Sequence, residues 1–281
     1  VGYEQDTYFC FMKVFKMLFN FYIQSSIHVA LAIVALMLLS GVYLNILPDF
    51  FLTGFVFTAA VSGYNFVKYA GIAKWHHRRL TTSLKSIQIF SLFAFFAMLF
   101  FFWYLPIFVQ VIAVLSGLLT LLYAVPLKRK WRNFRSIPGM KLLLIALVLI
   151  LTTVLMPAFY NESGLGLPVI ILCLLRFFWV FVLILPFEIR DLQVDNISLG
   201  TIPQQLGIFK TKIFGSILLV LLAFAENYFN PLYTNSFWVV LLVILITGLA
   251  LWFSKPKQSF YYTAFWIEGI PIVWLTMELV F

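Results

Sequence analysis

Nine apolar stretches, each close to the length that crosses a bilayer, constrain this chain more than anything else in it. A membrane-spanning helix takes about 20 residues. The sequence supplies Ser25–Leu47, Phe51–Ile72, Ile87–Leu105, Ile107–Pro126, Met140–Phe159, Pro168–Arg190, Thr211–Phe229, Ser236–Ser254 and Ser259–Leu279. Backbone polar groups in hydrocarbon must be satisfied within their own segment, so runs of this kind fold as helices. Only Pro106 parts the third stretch from the fourth, which reads as a tight outer turn. A composition 63% hydrophobic and 10% charged belongs to the same class. The expected fold is an all-α, polytopic membrane protein with nine transmembrane helices.

Charge placement orients that bundle. With the N-terminus inside, the odd-numbered gaps and the span ends beside them hold Asp49, Glu162 and Glu226 and no Lys or Arg. Every Lys and Arg except Arg176 falls in the N-terminal arm, the even-numbered gaps or their flanks. Basic residues stay on the cytoplasmic side, so the N-terminus is predicted to be cytoplasmic and the C-terminus outside. The net charge of +9 is explained by this arrangement and by anionic headgroups, with no nucleic-acid partner implied. Cys10 and Cys173 are too few for a disulfide framework or a metal cluster and are read as structural.

No cleavable signal peptide is visible at the N-terminus. Met12-Lys-Val-Phe-Lys16 reads as a start, so residues 1–11 are taken as an over-extension or a trimmed remnant. Residues 1–22 are expected to form an interfacial segment, in which Lys13 and Lys16 alternate with Phe, Met and Leu. Residues 23–281 form one transmembrane domain.

Polar chemistry concentrates on the inside face. The run Pro186-Phe-Glu-Ile-Arg-Asp-Leu-Gln-Val-Asp195 places Glu188, Asp191 and Asp195 at the end of span 6. The spacing i, i+3, i+7 puts three carboxylates on one helical face. Three close anions at a membrane boundary need a cation, a proton or water between them. The pattern is that of a metal or diphosphate site, or of a solvated helix end. On span 2, Asn65 and Lys68 share a face within Tyr64-Asn-Phe-Val-Lys-Tyr-Ala-Gly71. Lys68 either snorkels to the interface or sits beside a phosphate or the span-6 acids. His76 and His77 are adjacent, about 100° apart on a helix, and suit a loop better than a shared metal. Arg78 and Arg79 can orient the protein or grip a diphosphate bidentately. A third basic gap carries Lys128, Arg129, Lys130, Arg132 and Arg135.

Two charges lie inside spans. Arg176 in span 6 and Glu268 in span 9 each cost about 2.5–3.5 kcal/mol at such depth unless they face protein or water. They pair if spans 6 and 9 touch at the right height. Gly269 and Pro271 permit a kink beside Glu268.

The chain resembles the UbiA superfamily of intramembrane prenyltransferases. Members are nine-helix bundles that bind a polyprenyl diphosphate through Mg²⁺ at two Asp-rich motifs, on the cytoplasmic ends of helices 2 and 6. The second motif, D-x-x-D-x-x-x-D with a following glycine, T-x-P and L-G, is matched by Glu188-x-x-Asp191-x-x-x-Asp195, Gly200-Thr-Ile-Pro203 and Leu206-Gly207. Tyr123-Ala-Val-Pro-Leu-Lys-Arg129 is similar to the family's segment after helix 4. The first motif, N-D-x-x-D-x-x-x-D, falls on Asn65, with Phe66, Tyr69 and Ala73 at the three aspartate positions.

The resemblance implies a UbiA-like bundle in a bacterial inner membrane. It implies Glu188, Asp191 and Asp195 as catalytic residues and metal ligands holding one Mg²⁺. Asn65, Lys68, Arg78, Arg79 and Arg190 are then diphosphate-binding. A prenyl diphosphate and a lipophilic or aromatic acceptor are the implied partners. The alternative is a catalytically inactive isoprenoid or lipid binder, supported by the missing aspartates. An ion-coupled transporter would need inverted repeats or broken helices that the sequence does not show.

Overall fold

The computed structural model describes residues 2–46, 48–73, 82–125, 137, 139–161, 164–195, 199–230 and 234–281; for 2–11, 70–73, 82 and 83 it describes the backbone alone. Among the described residues the elements are α1 Gly2–Gln24, α2 Ile27–Leu44, α3 Phe50–Ala73, α4 Thr82–Trp103, α5 Ile107–Ala124, α6 Met140–Ile150, α7 Met156–Tyr160, α8 Leu167–Asp191, α9 Ile202–Leu206, α10 Ile208–Ala225, α11 Asn235–Phe253 and α12 Ile270–Val280. Among the described residues, nine spans are long and apolar enough to cross a membrane. They correspond one to one with the nine apolar stretches of the sequence. The fifth joins α6 to α7, and the ninth is Tyr262–Val280.

The Pro106 turn separates spans 3 and 4 as expected. Tyr104 and Leu105 close it with N–H bonds to the carbonyls of Phe101 and Phe102, and α5 begins at Ile107. Packing of α3 on α4 depends on a missing side chain: a Cβ on Gly54 would lie 2.6 Å from the Phe101 ring. The outer faces of α4 and α5 are apolar and uncovered (Phe93, Phe96, Phe100, Ile107, Phe108 and Leu118 are all exposed), as a lipid-facing surface requires.

Helix α8 is the central column. Its Trp179, Val182, Leu185 and Ile189 are buried against Leu36 and Leu39 of α2, Leu142 and Ala146 of α6, Leu219 of α10, Val240 of α11 and Trp274 of α12. Two spans are broken by single-turn π-helices, each preceding a proline: Leu151–Leu155 before Pro157, and Tyr262–Ile267 before Pro271. Proline lacks the N–H that would bond the carbonyl four residues back, and a wide turn accommodates the gap. The kink foreseen near Glu268 is therefore a π-turn followed by a turn at Glu268–Gly269.

Arg176 and Glu268 do not pair. Span 9 does meet α8, but Glu268 lies within electrostatic reach of Arg190, fourteen residues from Arg176 and about 21 Å along the helix. Arg176 is buried near the opposite end. Its Nη2 donates to Ser40 Oγ at 3.0 Å and its guanidinium lies 5.8 Å from the Trp274 ring centre. Tyr43, Trp179 and Glu226 complete a small polar cavity around it. Glu226, taken from the sequence as a residue of the outer boundary, is buried there at 5% exposure. A charge in this position is tolerated because opposite charge and an aromatic face surround it. Arg176→Met is expected to lower the thermal unfolding midpoint in detergent well beyond Ser40→Ala, since only the first leaves Glu226 without countercharge. Equal shifts in a melting experiment would contradict this.

Candidate active site at the basic mouth

The second motif forms because α8 stops at Asp191. The N–H groups of Val194 and Asp195 turn back onto the Asp191 carbonyl at 2.9 and 2.8 Å, so Asp195 sits in a turn beyond the helix. Glu188 and Asp191 lie three residues apart within α8, Asp195 follows in the turn, and a cation from another helix gathers the two aspartates. Lys141, in the first turn of α6, places Nζ 3.0 Å from Asp195 Oδ2 and 3.7 Å from Asp191 Oδ2. Its stem is buried, with the whole residue 8% exposed. Arg190 Nε donates to the other Asp191 oxygen, Oδ1, at 2.8 Å. Arg190 Nη1 donates to Thr263 Oγ1, in the π-turn of span 9, at 2.6 Å.

Glu188 lies within electrostatic reach of Lys141, Asp191 and Asp195 and takes a backbone partner of its own. It is 3% exposed, accepts from the Ile202 N–H and has Oε2 without a partner. It therefore fastens the Gly-Thr-Ile-Pro turn to α8. That turn needs its glycines, because Gly200 and Gly207 have φ of 52° and 79°, in the left-handed region. Gln204 accepts from the Thr201 N–H at 3.0 Å, and Gln205 donates to the Gly200 carbonyl at 2.6 Å. A cavity of about 70 Å³ lies beside Lys141 and Glu188, also lined by Gly139, Gly200 and Thr201.

On α3, Asn65 is 3% exposed and ties three elements together. Its amide donates to the Ser25 carbonyl at 2.9 Å and to Ser91 Oγ at 2.7 Å, and its carbonyl accepts from Ser26 Oγ at 2.8 Å. Both amide donors are engaged inside the protein. Lys68 is exposed and donates to the Gln24 carbonyl at 3.1 Å; the Tyr69 hydroxyl reaches the same carbonyl at 3.0 Å. Phe66 is exposed and brings no oxygen ligand. Glu268 is within electrostatic reach of both Lys68 and Arg190, which links the α3 and α8 sides of the mouth through span 9. Tyr64 is near Glu268 and Tyr123. His76, His77, Arg78, Arg79 and the basic gap from Lys128 to Arg135 lie outside the described residues.

Sequence reasoning missed Lys141, Thr263 and His28. His28 Nε2 donates to the Phe265 carbonyl at 2.9 Å, and its Nδ1 accepts from the Tyr22 hydroxyl at 2.8 Å, pinning α1 and α2 to span 9. The available signal for Lys141 was its place inside the first turn of an apolar span, directly after a glycine. That Gly139 has φ 75° and starts α6.

Solved structures share this arrangement of helices. A UbiA homologue from Archaeoglobus fulgidus bound to dimethylallyl diphosphate (DMAPP) and Mg²⁺ is 12% identical with a TM-score of 0.62, over 93% of this chain and 98% of that one. The homologue's complex with geranyl diphosphate (GPP) and Mg²⁺ gives 0.63 at the same identity and coverage. A digeranylgeranylglyceryl phosphate synthase is 16% identical with a TM-score of 0.54, over 94% of this chain and 96% of that one. This is the UbiA fold. No protein-family model matches the chain, and no curated protein matches it significantly in sequence.

The UbiA bundle here thus carries the helix-6 acids and lacks the helix-2 acids. Its α3 is held by an amide clasp. Asn65→Ala removes bonds to Ser25, Ser26 and Ser91 together and is expected to destabilise the protein by about 2–3 kcal/mol. Denaturant titration in detergent checks this; a change under about 0.5 kcal/mol, the usual range of neutral surface substitutions, would contradict it.

Proposed function

We propose that this protein is an intramembrane prenyltransferase-like enzyme, its N-terminal arm on the cytoplasmic side, that takes a prenyl diphosphate at the basic mouth and transfers the prenyl group to a lipophilic or aromatic acceptor. The observation that carries the reading is the meeting, at one end of a UbiA bundle, of the α8 acids with Lys141 and Arg190, and of Glu268 with Arg190 and Lys68. Homologous folds bound to DMAPP and GPP support the same class of substrate.

The chemistry follows from where the charges stand. The diphosphate faces Lys68 and Arg190, while the prenyl tail enters the apolar bundle. Fixed cations stabilise the negative charge that builds on the leaving diphosphate as the allylic C–O bond breaks. Ring faces stabilise the allylic cation, as quadrupoles do for other cations. The acceptor attacks the cation and loses a proton, a role assigned to Glu268, which lies within electrostatic reach of Lys68 and Arg190. Asp191 and Asp195 hold Lys141 in place, and Asp191 orients Arg190.

The resemblance and the Mg²⁺-bound homologues point to a metal on the α8 acids. The residues of this chain do not fit one as they stand. Among the described residues no three Asp, Glu, His or Cys side chains are grouped to hold an ion. Lys141 fills the space between Asp191 and Asp195, and Glu188 is turned to the Ile202 backbone. No step above is routed through a metal.

Pyrophosphate release from a panel of prenyl diphosphates, assayed with purified protein and a membrane-lipid extract as acceptor source, tests the reading. Release by the wild type, and its loss in Asp191→Asn/Asp195→Asn, is the expected outcome. Folded protein that binds a prenyl diphosphate yet releases nothing from any of them would favour the inactive lipid-binding alternative instead.

A further inference from the structure

We infer that the Lys141 ammonium takes the place a divalent cation would fill between Asp191 and Asp195, so that this chain neutralises its α8 acids with a covalently attached charge. The inference rests on the functional reading only for its biological purpose; the geometry stands apart from it. Both oxygens of Asp191 already face cations, Oδ2 toward Lys141 and Oδ1 toward Arg190. Asp195 Oδ2 is bonded to Lys141 at 3.0 Å. These side chains are withdrawn from solvent, at 10% exposure for Lys141 and 23% and 13% for the two aspartates. An ion entering here would have to expel the ammonium from a buried ion pair, and breaking a buried pair is strongly unfavourable.

The rest of the mouth agrees with a fixed monovalent charge. Mg²⁺ demands near-octahedral oxygen ligation, and ligands on the facing helix would complete it. At the family's aspartate positions, helix α3 offers Phe66 and Ala73, with no side-chain oxygen, and Tyr69, whose hydroxyl is bonded to the Gln24 carbonyl. Lys68 stands between Phe66 and Tyr69 in sequence and adds a second cation, so each side of the mouth carries an ammonium group, while only the α8 side keeps carboxylates. The lysine is aimed by the backbone: Gly139 in the left-handed region starts α6, and the Lys141 stem runs buried toward Asp195. An ammonium offers three N–H donors and no vacant coordination site, so it anchors charge without activating water.

The test is a Mn²⁺ titration followed by electron paramagnetic resonance, which needs neither substrate nor turnover and so fails separately from the prenyltransferase reading. Purified wild type is compared with Asp191→Asn/Asp195→Asn, Lys141→Met and the triple variant. The wild type and the double variant are expected to bind Mn²⁺ equally weakly. Lys141→Met is expected to gain one site at least tenfold tighter, lost again in the triple variant. Wild-type binding tenfold tighter than the double variant, or no gain in folded Lys141→Met, would overturn the inference. Should Lys141→Met fail to fold, the comparison of wild type with the double variant decides the matter alone.

Discussion

An ammonium between two carboxylates, placed where an apolar bundle opens, is the interaction on which the mouth of this protein depends. Charges withdrawn from water interact far more strongly than they do at a wet surface, and each is costly to leave alone. Lys141 therefore fixes the distance between α6 and the end of α8. Arg190 extends the same network from Asp191 to Thr263, and so to span 9. Glu268 carries it on toward Lys68 and α3. Four of the nine spans are thus registered at one end by a chain of alternating charge, in a bundle whose apolar sides supply little directional preference.

The interruptions in the helices serve that registration. The π-turn before Pro271 widens span 9 where Thr263 meets Arg190 and where the Phe265 carbonyl meets His28. That carbonyl also accepts from the Gly269 N–H at 2.9 Å, so His28 is a second donor to it. Asn65 plays the corresponding part on the other side, holding the junction of α1 and α2 against α3 and α4. Buried polar groups with all their bonds made specify one arrangement among many that are equally apolar.

Much of this was legible in the sequence. Hydropathy alone located the nine spans, and Pro106 marked the turn between two of them, because bilayer thickness leaves few other solutions. The glycines of Gly200-Thr-Ile-Pro203 and Leu206-Gly207 signalled backbone that no other residue adopts easily, and both have positive φ. The site was less legible. Lys141 looked like one more positive charge at a span end, since sequence does not say whether a lysine stem points to lipid or to the interior. Glu188, Asp191 and Asp195 looked equivalent in spacing, yet Lys141 takes both aspartates while Glu188 accepts from the Ile202 backbone. The motif resemblance implied Asn65 as a ligand, while its neighbours across space, Ser25 and Ser91, take both of its amide donors.

Determining the structure by electron cryomicroscopy with geranyl S-thiolodiphosphate, an analogue that resists ionisation, tests the central claim most directly. The account predicts diphosphate density within hydrogen-bonding distance of Lys68 and Arg190, with Lys141 still seated between Asp191 and Asp195. Density for the analogue elsewhere in the bundle, or a mouth left empty at saturating concentration, would contradict it.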